Sequence, residues 1–174
     1  MGLAINLICF QLGWFACVIS AAYGKTFLAL IAVHLIISLH LYRNSSLAEL
    51  YLILTAIVIG FIWESLLVTS GWLSYGSVAD SVVFAPVWLV AMWALFATTI
   101  NLSMAWLKQR WLLASLMGAV FGPLAFIAGE KLGAVQFLDR LMALLALAIG
   151  WAILLPLLLW IADQIKYRAK SLET

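Results

Sequence analysis

The sequence predicts an all-α protein, a polytopic bundle of six transmembrane helices that forms one domain over residues 1–174. The first observation behind this prediction is that 67% of the 174 residues are apolar, against roughly 45–50% in soluble globular domains. The second is that only 9% are Asp, Glu, Lys or Arg, against about 25% in soluble domains. So few charges cannot cover a surface that faces water, and most of the apolar surface must therefore face lipid.

Six apolar segments are long enough to cross a bilayer, which takes about 20 residues. They are separated by charges, Gly, Pro and turn clusters, and they cover approximately residues 3–22, 26–42, 47–69, 85–107, 112–129 and 140–163. Three of the breaks are short, as between antiparallel neighbours. Residues 70–84 and 130–139 form longer connections, and the even helix count places both on one side. The apolar loop 70–76 is expected to fold back over the bundle there.

The distribution of Lys and Arg predicts the orientation, because cytoplasmic loops carry the excess. If the N-terminus is inside, the inner side holds six such residues: Arg43, Lys108, Arg110, Lys166, Arg168 and Lys170. The outer side then holds three: Lys25, Lys131 and Arg140. Both termini are therefore expected to be cytoplasmic. The formal net charge of +2 is far below the basic patch that nucleic-acid binding needs, so nucleic acid is excluded as a partner class.

Two ionisable residues lie clearly inside the predicted spans, where a charge costs about 2.5–3.5 kcal/mol at the helix centre. Glu64 follows Ala56 and Gly60 at steps of four, so it shares a helix face with two small residues that allow close packing. We expect it to point into the bundle. His34 lies on the second predicted helix, and the two side chains would meet if those helices pack together. His40, near the end of that helix, is expected to be interfacial.

A carboxyl group inside a span, with an imidazole nearby, can hold and release a proton, which is the basis of an acid/base site. The candidate catalytic residues are Glu64 as proton donor or acceptor, with His34 and Tyr75 as orienting groups. The alternative is that Glu64 is a structural carboxyl with partners inside the bundle. The candidate substrate-binding residues are outer aromatic groups and outer acids: Trp63, Trp72, Trp88, Asp80 and Glu130. For Glu130 the alternative is a solvated salt-bridge cluster.

Small and polar residues mark the positions where helices are expected to pack together. Gly60 lies one turn before the intramembrane glutamate, and Asn101 belongs to a stripe of Ala and Thr in the fourth predicted helix. Gly118 and Gly122 allow a neighbour to approach the fifth predicted helix, and Pro123 follows directly. Because proline removes a backbone hydrogen bond, we expect this helix to be bent and interior.

No metal site and no cofactor are predicted. The sequence contains none of the usual nucleotide, hydrolase or zinc motifs, and neither Cys9 nor Cys17 lies beside a histidine. The expected partner is membrane lipid, and a membrane-protein partner or a second copy of the chain stays open. Three functions also stay open: an enzyme that modifies an apolar lipid such as a fatty-acyl or isoprenoid chain, a small transporter or flippase, and a non-catalytic scaffold subunit.

One resemblance covers nearly the whole chain and rests on residues 63–64, 71–76, 86–88, 93, 96–99, 103, 106–107 and 118–134. In these residues the chain resembles a family of small bacterial inner-membrane proteins known as a domain of unknown function. It implies the six-helix form and a multi-pass location in a bacterial inner membrane. Members of that family tend to be encoded near lipid-modifying enzymes of the cyclopropane-fatty-acid-synthase type, which implies a connection with lipid metabolism by association.

A shorter stretch is similar to membrane-embedded carotenoid hydratases and lycopene cyclases. Those enzymes carry a membrane glutamate followed by a Thr-Gly and Tyr segment and then a proline. Glu64, Thr69, Gly71, Tyr75 and Pro86 stand in that order here. The further acidic residues of those enzymes are absent from this chain. The resemblance implies that the membrane glutamate acts on an isoprenoid chain.

Overall fold

The computed structural model describes residues 2–44, 46–75 and 84–171, with the side chain of residue 170 excepted. These residues form six α-helices that run up and down in turn. The helices are α1 (Leu3–Ala22), α2 (Thr26–Arg43), α3 (Leu47–Thr69), α4 (Val87–Ile100), α5 (Trp111–Lys131) and α6 (Arg140–Ser171). The predicted all-α bundle of six helices is confirmed.

Within the described ranges, five helices are long and apolar enough to span a membrane, namely α1, α2, α3, α5 and α6. The remaining helix, α4, has 14 residues and covers about 21 Å of a hydrocarbon core about 30 Å thick. It packs against α1, α2 and α3, and every residue from 93 to 100 is buried. The shortest helix is therefore the central one, and its neighbours shield it from lipid.

The predicted fourth span at 85–107 is wrong at its far end, because α4 ends at Ile100. The hydroxyls of Thr98 and Thr99 donate to carbonyls three residues earlier, at 2.7 and 2.6 Å. The Asn6 amide of α1 donates to the Thr98 carbonyl at 3.1 Å. Such side-chain bonds compete with the helical backbone pattern. The chain then turns and forms a single 3₁₀ turn at Ala105–Leu107.

The last helix is longer than its predicted span, which ended at residue 163. It has 32 residues and a length of about 48 Å, well beyond the hydrocarbon core. Its final turns carry the exposed residues Lys166, Tyr167 and Arg168. Lys and Arg form helices readily and stabilise a helix C-terminus through the macrodipole, so the helix continues past the apolar segment.

One buried stripe on α3 organises the bundle. Its residues recur every three or four positions and are Ala48, Glu49, Leu52, Ile53, Ala56, Gly60, Glu64 and Leu67. The two carboxyl groups on this stripe are 15 residues apart in the sequence, about 22 Å along the axis. We call the end of the bundle nearer to Glu64 the Glu64 end and the opposite end the Glu49 end.

The two long connections meet at the Glu64 end, as the helix count predicted. Each contributes a two-residue strand, β1 (Leu73–Ser74) and β2 (Gln136–Phe137), and the strands pair antiparallel. The amide of Leu138 also donates to the carbonyl of Trp72 at 2.9 Å. The α3–α4 and α5–α6 connections are thus joined directly above the end of α3.

Candidate functional site

Glu64 has no exposed surface, and two side chains donate hydrogen bonds to its carboxyl group. The hydroxyl of Tyr75 donates to Oε2 at 2.7 Å, and the indole N–H of Trp93 donates to Oε1 at 3.0 Å. Three segments therefore meet at this group: α3, the connection after β1, and α4. Because a carboxylate offers about four lone-pair positions, each oxygen keeps one for a proton or a ligand.

Tyr75 closes the site from the loop side. Its ring lies edge-on to Trp88, with centroids 6.0 Å apart, and 6.5 Å from Phe126. Burial, and after it the neighbouring Glu64 carboxylate, raises the pKa of Tyr75 well above its ordinary value. The phenol therefore keeps its proton and acts as a donor. The predicted return of the 70–76 loop over the bundle is confirmed for its described part, which ends at Tyr75.

Trp93 is held in place from both faces. On one side lies Gly60, where an added Cβ would overlap the indole ring. On the other side Trp151 stacks on it, with ring centroids 5.0 Å and planes 13° apart. Trp151 in turn occupies the space above Gly122, where a Cβ would overlap its ring. Two glycines thus make room for two large aromatic rings beside Glu64.

The predicted packing positions lie where another helix approaches. A Cβ at Gly118 would overlap the backbone carbonyl of Trp151, so α5 and α6 are in backbone contact there. Pro123 is buried in the same helix, which continues through it. The predicted interior position of this helix is wrong, because it packs against α6 and exposes residues such as Phe121 and Leu124 on its other side. A further glycine that the sequence did not single out, Gly150 on α6, makes room for the ring of Trp63.

An apolar cavity of about 800 Å³ lies between α1 and α5. The first of these helices packs against α2 and α4, whereas α5 packs against α6, so the cavity fills the gap between the two groups. Its wall includes Glu64, Trp88, Trp93 and Trp151. Other lining residues on the two flanking helices are exposed on the side of the bundle: Phe15, Phe121 and Leu124. The cavity therefore opens sideways, at the depth of the spanning helices.

One polar group in this wall lacks a partner. The Nε1 atom of Trp151 is buried, and no described residue accepts a hydrogen bond from it. A buried donor without an acceptor costs about 1–3 kcal/mol.

His34 does not belong to this site. It is exposed on α2, whereas α3 packs mainly against α4 and α6. The condition for a contact between His34 and Glu64, close packing of their two helices, therefore does not hold at this depth. The side chains that orient the Glu64 carboxyl group are Tyr75 and Trp93, so the predicted role of His34 as an orienting group is wrong.

The three predicted aromatic binding residues have different positions. Trp88 is buried and lines the cavity. Trp63 lies against Gly150 in the contact between α3 and α6, and Trp72 belongs to the joined connections, where its carbonyl accepts the amide of Leu138. Neither Trp63 nor Trp72 is among the described residues that line the cavity.

The two predicted acidic binding residues lie outside the cavity or outside the described part of the chain. Glu130 accepts two hydrogen bonds from Arg140, at 2.9 and 2.7 Å, in an ion pair at the surface. This is the arrangement of the alternative interpretation, a solvated salt bridge. Asp80 lies outside the described residues, and its role stays a prediction.

A second polar cluster, which the sequence analysis missed, lies at the Glu49 end. The carboxyl group of Glu49 contacts His40 Nε2 at 3.1 Å and accepts from Asn101 Nδ2 at 2.9 Å. Lys108 Nζ then donates to Asn101 Oδ1 at 2.8 Å and to Asp163 Oδ1 at 2.6 Å. We call these five residues the Glu49 network. His40 is fully buried in this network, one turn before the end of α2, and its predicted interfacial depth stays a prediction.

The Glu49 network ties α2, α3, the end of α4 and α6 together. Asn101 bridges the helices through both atoms of its amide, and each charged member has a partner of opposite charge or a hydrogen bond. The sequence signal was present, since Glu49 lies on the same helical stripe as Glu64. Over the described ranges, no three His, Cys, Asp or Glu side chains cluster as a metal ligand set would.

The fold and the buried polar sites define a multi-pass membrane protein built as an α-helical bundle. Over residues 3–157 the chain matches the family described as "Protein of unknown function (DUF2878)", and it belongs to that family. The predicted membership of an uncharacterised family over nearly the whole chain is confirmed. No curated protein and no solved structure matches the chain. The similarity to carotenoid hydratases and lycopene cyclases stays a prediction.

Proposed function

We propose that this protein binds a lipid by its apolar chain in the cavity between α1 and α5, and that Glu64 transfers a proton to or from that chain. The observation that carries the proposal is a hydrogen-bonded carboxyl group at the wall of an otherwise apolar cavity of about 800 Å³. Because Glu64 has no exposed surface, a bound chain reaches the carboxyl group when one of the side chains that cover it shifts. Ligand sites in proteins are typically apolar clefts with a few placed polar groups. A carboxyl group in such a place is suited to general acid/base catalysis.

The surrounding side chains support this role of Glu64. The two donors, Tyr75 and Trp93, hold the carboxyl group in one orientation, which general acid/base catalysis requires. The faces of aromatic rings attract cations, and Trp88, Trp93 and Trp151 surround the space next to the carboxyl group. A positive charge that develops when Glu64 protonates a double bond would be stabilised there. The step balances when the Glu64 carboxylate then removes a proton from the neighbouring carbon, so that the double bond re-forms one position along the chain. A fatty-acyl or an isoprenoid chain with a double bond is the substrate class that fits.

We also propose a bacterial inner membrane, with the Glu64 end facing outward and both termini in the cytoplasm. The positive-inside rule supports this orientation. The described cations at the Glu49 end are Arg43, Lys108, Arg110, Lys166 and Arg168, and those at the Glu64 end are Lys25, Lys131 and Arg140.

One observation favours a second candidate, the movement of a lipid across the bilayer. On α5 the lining residues extend from Met117 to Lys131, about 21 Å of a hydrocarbon core of about 30 Å. A lateral cavity of that height could accommodate a lipid as it passes between leaflets. The third candidate, a scaffold subunit, predicts that small residues such as Gly60 and Gly122 pack against a partner protein. This chain's own tryptophans fill the space at both glycines, which supports the first two candidates over the scaffold.

Mass spectrometry of total lipids tests the proposal. Four kinds of cells are compared: cells without the protein, cells with the wild type, and cells with Glu64→Gln or Glu49→Gln. The three expressed proteins are kept at equal levels in the membrane. The second variant is the matched control, because Glu49 is buried on the same helix but does not line the cavity. We expect one lipid species to be lost in the deletion and in Glu64→Gln, and kept in Glu49→Gln. A lipid profile in Glu64→Gln equal to that of the wild type would rule out the acid/base role.

Reconstitution into vesicles separates the two candidates. Vesicles that contain fluorescent lipids, with and without the purified protein, report movement between leaflets when a membrane-impermeant reductant is added. Lipid movement together with an unchanged lipid profile in cells would favour translocation. A changed profile with no lipid movement would favour modification of the lipid.

A further inference from the structure

We infer that the lipid in this cavity carries an anionic headgroup and that Lys131 binds it, an inference that rests on the proposed function. Lys131 is the last residue of α5 and lies at the Glu64 end. Its side chain is exposed and lines the cavity. The only other polar side chains among the described lining residues are Gln11, Glu64 and the tryptophans. A lipid chain in the cavity therefore meets a single described cation, and that cation lies at the rim.

The neighbouring charges leave Lys131 available. The acid beside it, Glu130, forms its ion pair with Arg140 at 2.7 Å. Asp139 accepts a hydrogen bond from the backbone amide of Met142 at the start of α6. Among the described residues, Lys131 forms no ion pair. Its charge is therefore free to bind an anion from outside the chain.

The geometry gives the lipid a direction. An anionic headgroup at Lys131 would place the chain along α5, past Phe126 and Gly122, toward Met117. A zwitterionic headgroup would bring its own cation to the same rim, and an uncharged one would gain nothing from the lysine. One lysine near a membrane surface is expected to favour an anionic lipid about five-fold. Salt should weaken this preference, since the Debye length falls to about 3 Å at 1 M.

Binding of four ligands with the same oleoyl chain to the purified full-length protein tests the inference. The probes are monooleoylglycerol, which is uncharged, oleoyl lysophosphatidylcholine, which is zwitterionic, oleoyl lysophosphatidylglycerol and oleate. Native mass spectrometry in an uncharged detergent measures the bound fraction of each. We expect the two anionic ligands to bind about five-fold more tightly. Comparison of the phosphate with the carboxylate ligand shows which anion the site prefers.

Charge variants assign the preference to one side chain. Lys131→Gln should abolish it, and Lys131→Arg should keep it. Arg110→Gln removes an equal charge at an exposed position of the Glu49 end, outside the described lining of this cavity, and should leave the preference unchanged. A preference that survives Lys131→Gln, or that is lost in Arg110→Gln, overturns the assignment to Lys131.

A blocking variant separates failure of this inference from failure of the proposed function. Ala125 lines the cavity and is exposed, so Ala125→Trp should obstruct the lateral opening without disturbing the buried core and abolish binding of all four ligands. If the wild type binds all four ligands equally and Ala125→Trp binds none of them, the headgroup inference alone is overturned. Absence of binding, or binding that Ala125→Trp does not affect, overturns the proposed lipid cavity as well.

Discussion

Replacing Gly60 by alanine should destabilise the protein by displacing Trp93. Gly60 is buried on α3, and a Cβ there would overlap the five-membered ring of the Trp93 indole. Overpacking a core in this way costs about 1–3 kcal/mol. The ring cannot simply move away, because Trp151 stacks on its opposite face at 5.0 Å.

The same displacement would affect the candidate site. If Trp93 shifts, its hydrogen bond to Glu64, now 3.0 Å, lengthens or breaks, and such a bond to a charged group contributes about 1.5–3 kcal/mol. Alanine recovers up to about 1 kcal/mol relative to glycine inside a helix. The expected net loss in the free energy of unfolding is therefore about 1.5–5 kcal/mol.

Unfolding in mixed micelles, followed by circular dichroism as the fraction of denaturing detergent rises, measures this loss. Gly129→Ala is the matched control: it is also buried within a helix, but the nearest atom to its new Cβ is Val135 Cγ2 at 3.3 Å. We expect that control to lose less than about 1 kcal/mol, because a flexible side chain can shift. Equal losses at Gly60 and Gly129 would refute the argument. Trp93→Phe should also cost less in the Gly60→Ala background than in the wild type.

Three further substitutions have expected effects on the free energy of unfolding, measured in the same way. Tyr75→Phe removes one donor to Glu64 and should cost about 1–3 kcal/mol; an unchanged value would mean that this bond contributes no net stability. Lys108→Met breaks the Glu49 network and should cost about 1–3 kcal/mol. This is less than the cost of breaking a fully buried ion pair, because Asp163, the carboxylate partner of Lys108, is 35% exposed. Arg110→Met, at an exposed position, is its control and should stay within about 0.5 kcal/mol. Glu130→Gln breaks a surface ion pair and should cost less than about 1 kcal/mol, and a larger loss would show that the pair is structurally important.

The helices that could be predicted from the sequence are those whose limits are set locally. The third helix has the predicted range, Leu47–Thr69, because Ser46 caps its start by accepting the amide of Ala48 and its length is what a bilayer requires. The end of α4 could not be predicted in this way. Its last turn is shaped by Asn6, a residue 92 positions away on another helix.

The same distinction, between features set by local sequence and features set by distant residues, applies to the candidate site. The spacing of Gly60 and Glu64 on one helix face was sufficient to predict that the carboxyl group is buried, because small residues on that face allow another helix to pack closely. Which side chain would reach the carboxyl group depends on which helices are neighbours. For this reason the prediction named His34, and the structure has Trp93. Glu49 was missed because an acid in the first turn of a helix has a sufficient local explanation in the helix dipole.

The two buried carboxyl groups of α3 offer a way to distinguish a lipid-modifying enzyme from a lipid transporter. Glu64 and Glu49 lie about 22 Å apart along the axis, and the buried residues between them, such as Ile53 and Ala56, are apolar. If the bundle keeps one conformation, substitutions this far apart should add within about 0.3–0.5 kcal/mol.

Translocation requires at least two conformations, and α3 carries both carboxyl groups, so a movement of this helix would change both surroundings together. Each substitution would then shift the same equilibrium, and a coupling free energy of about 1 kcal/mol or more is expected between Glu64→Gln and Glu49→Gln. A double-mutant cycle on lipid binding, with the single and double variants at equal protein levels, measures that coupling. Additivity would be consistent with a fixed cavity in which Glu64 acts on a bound chain, whereas a clear departure from additivity would contradict the fixed cavity and favour translocation.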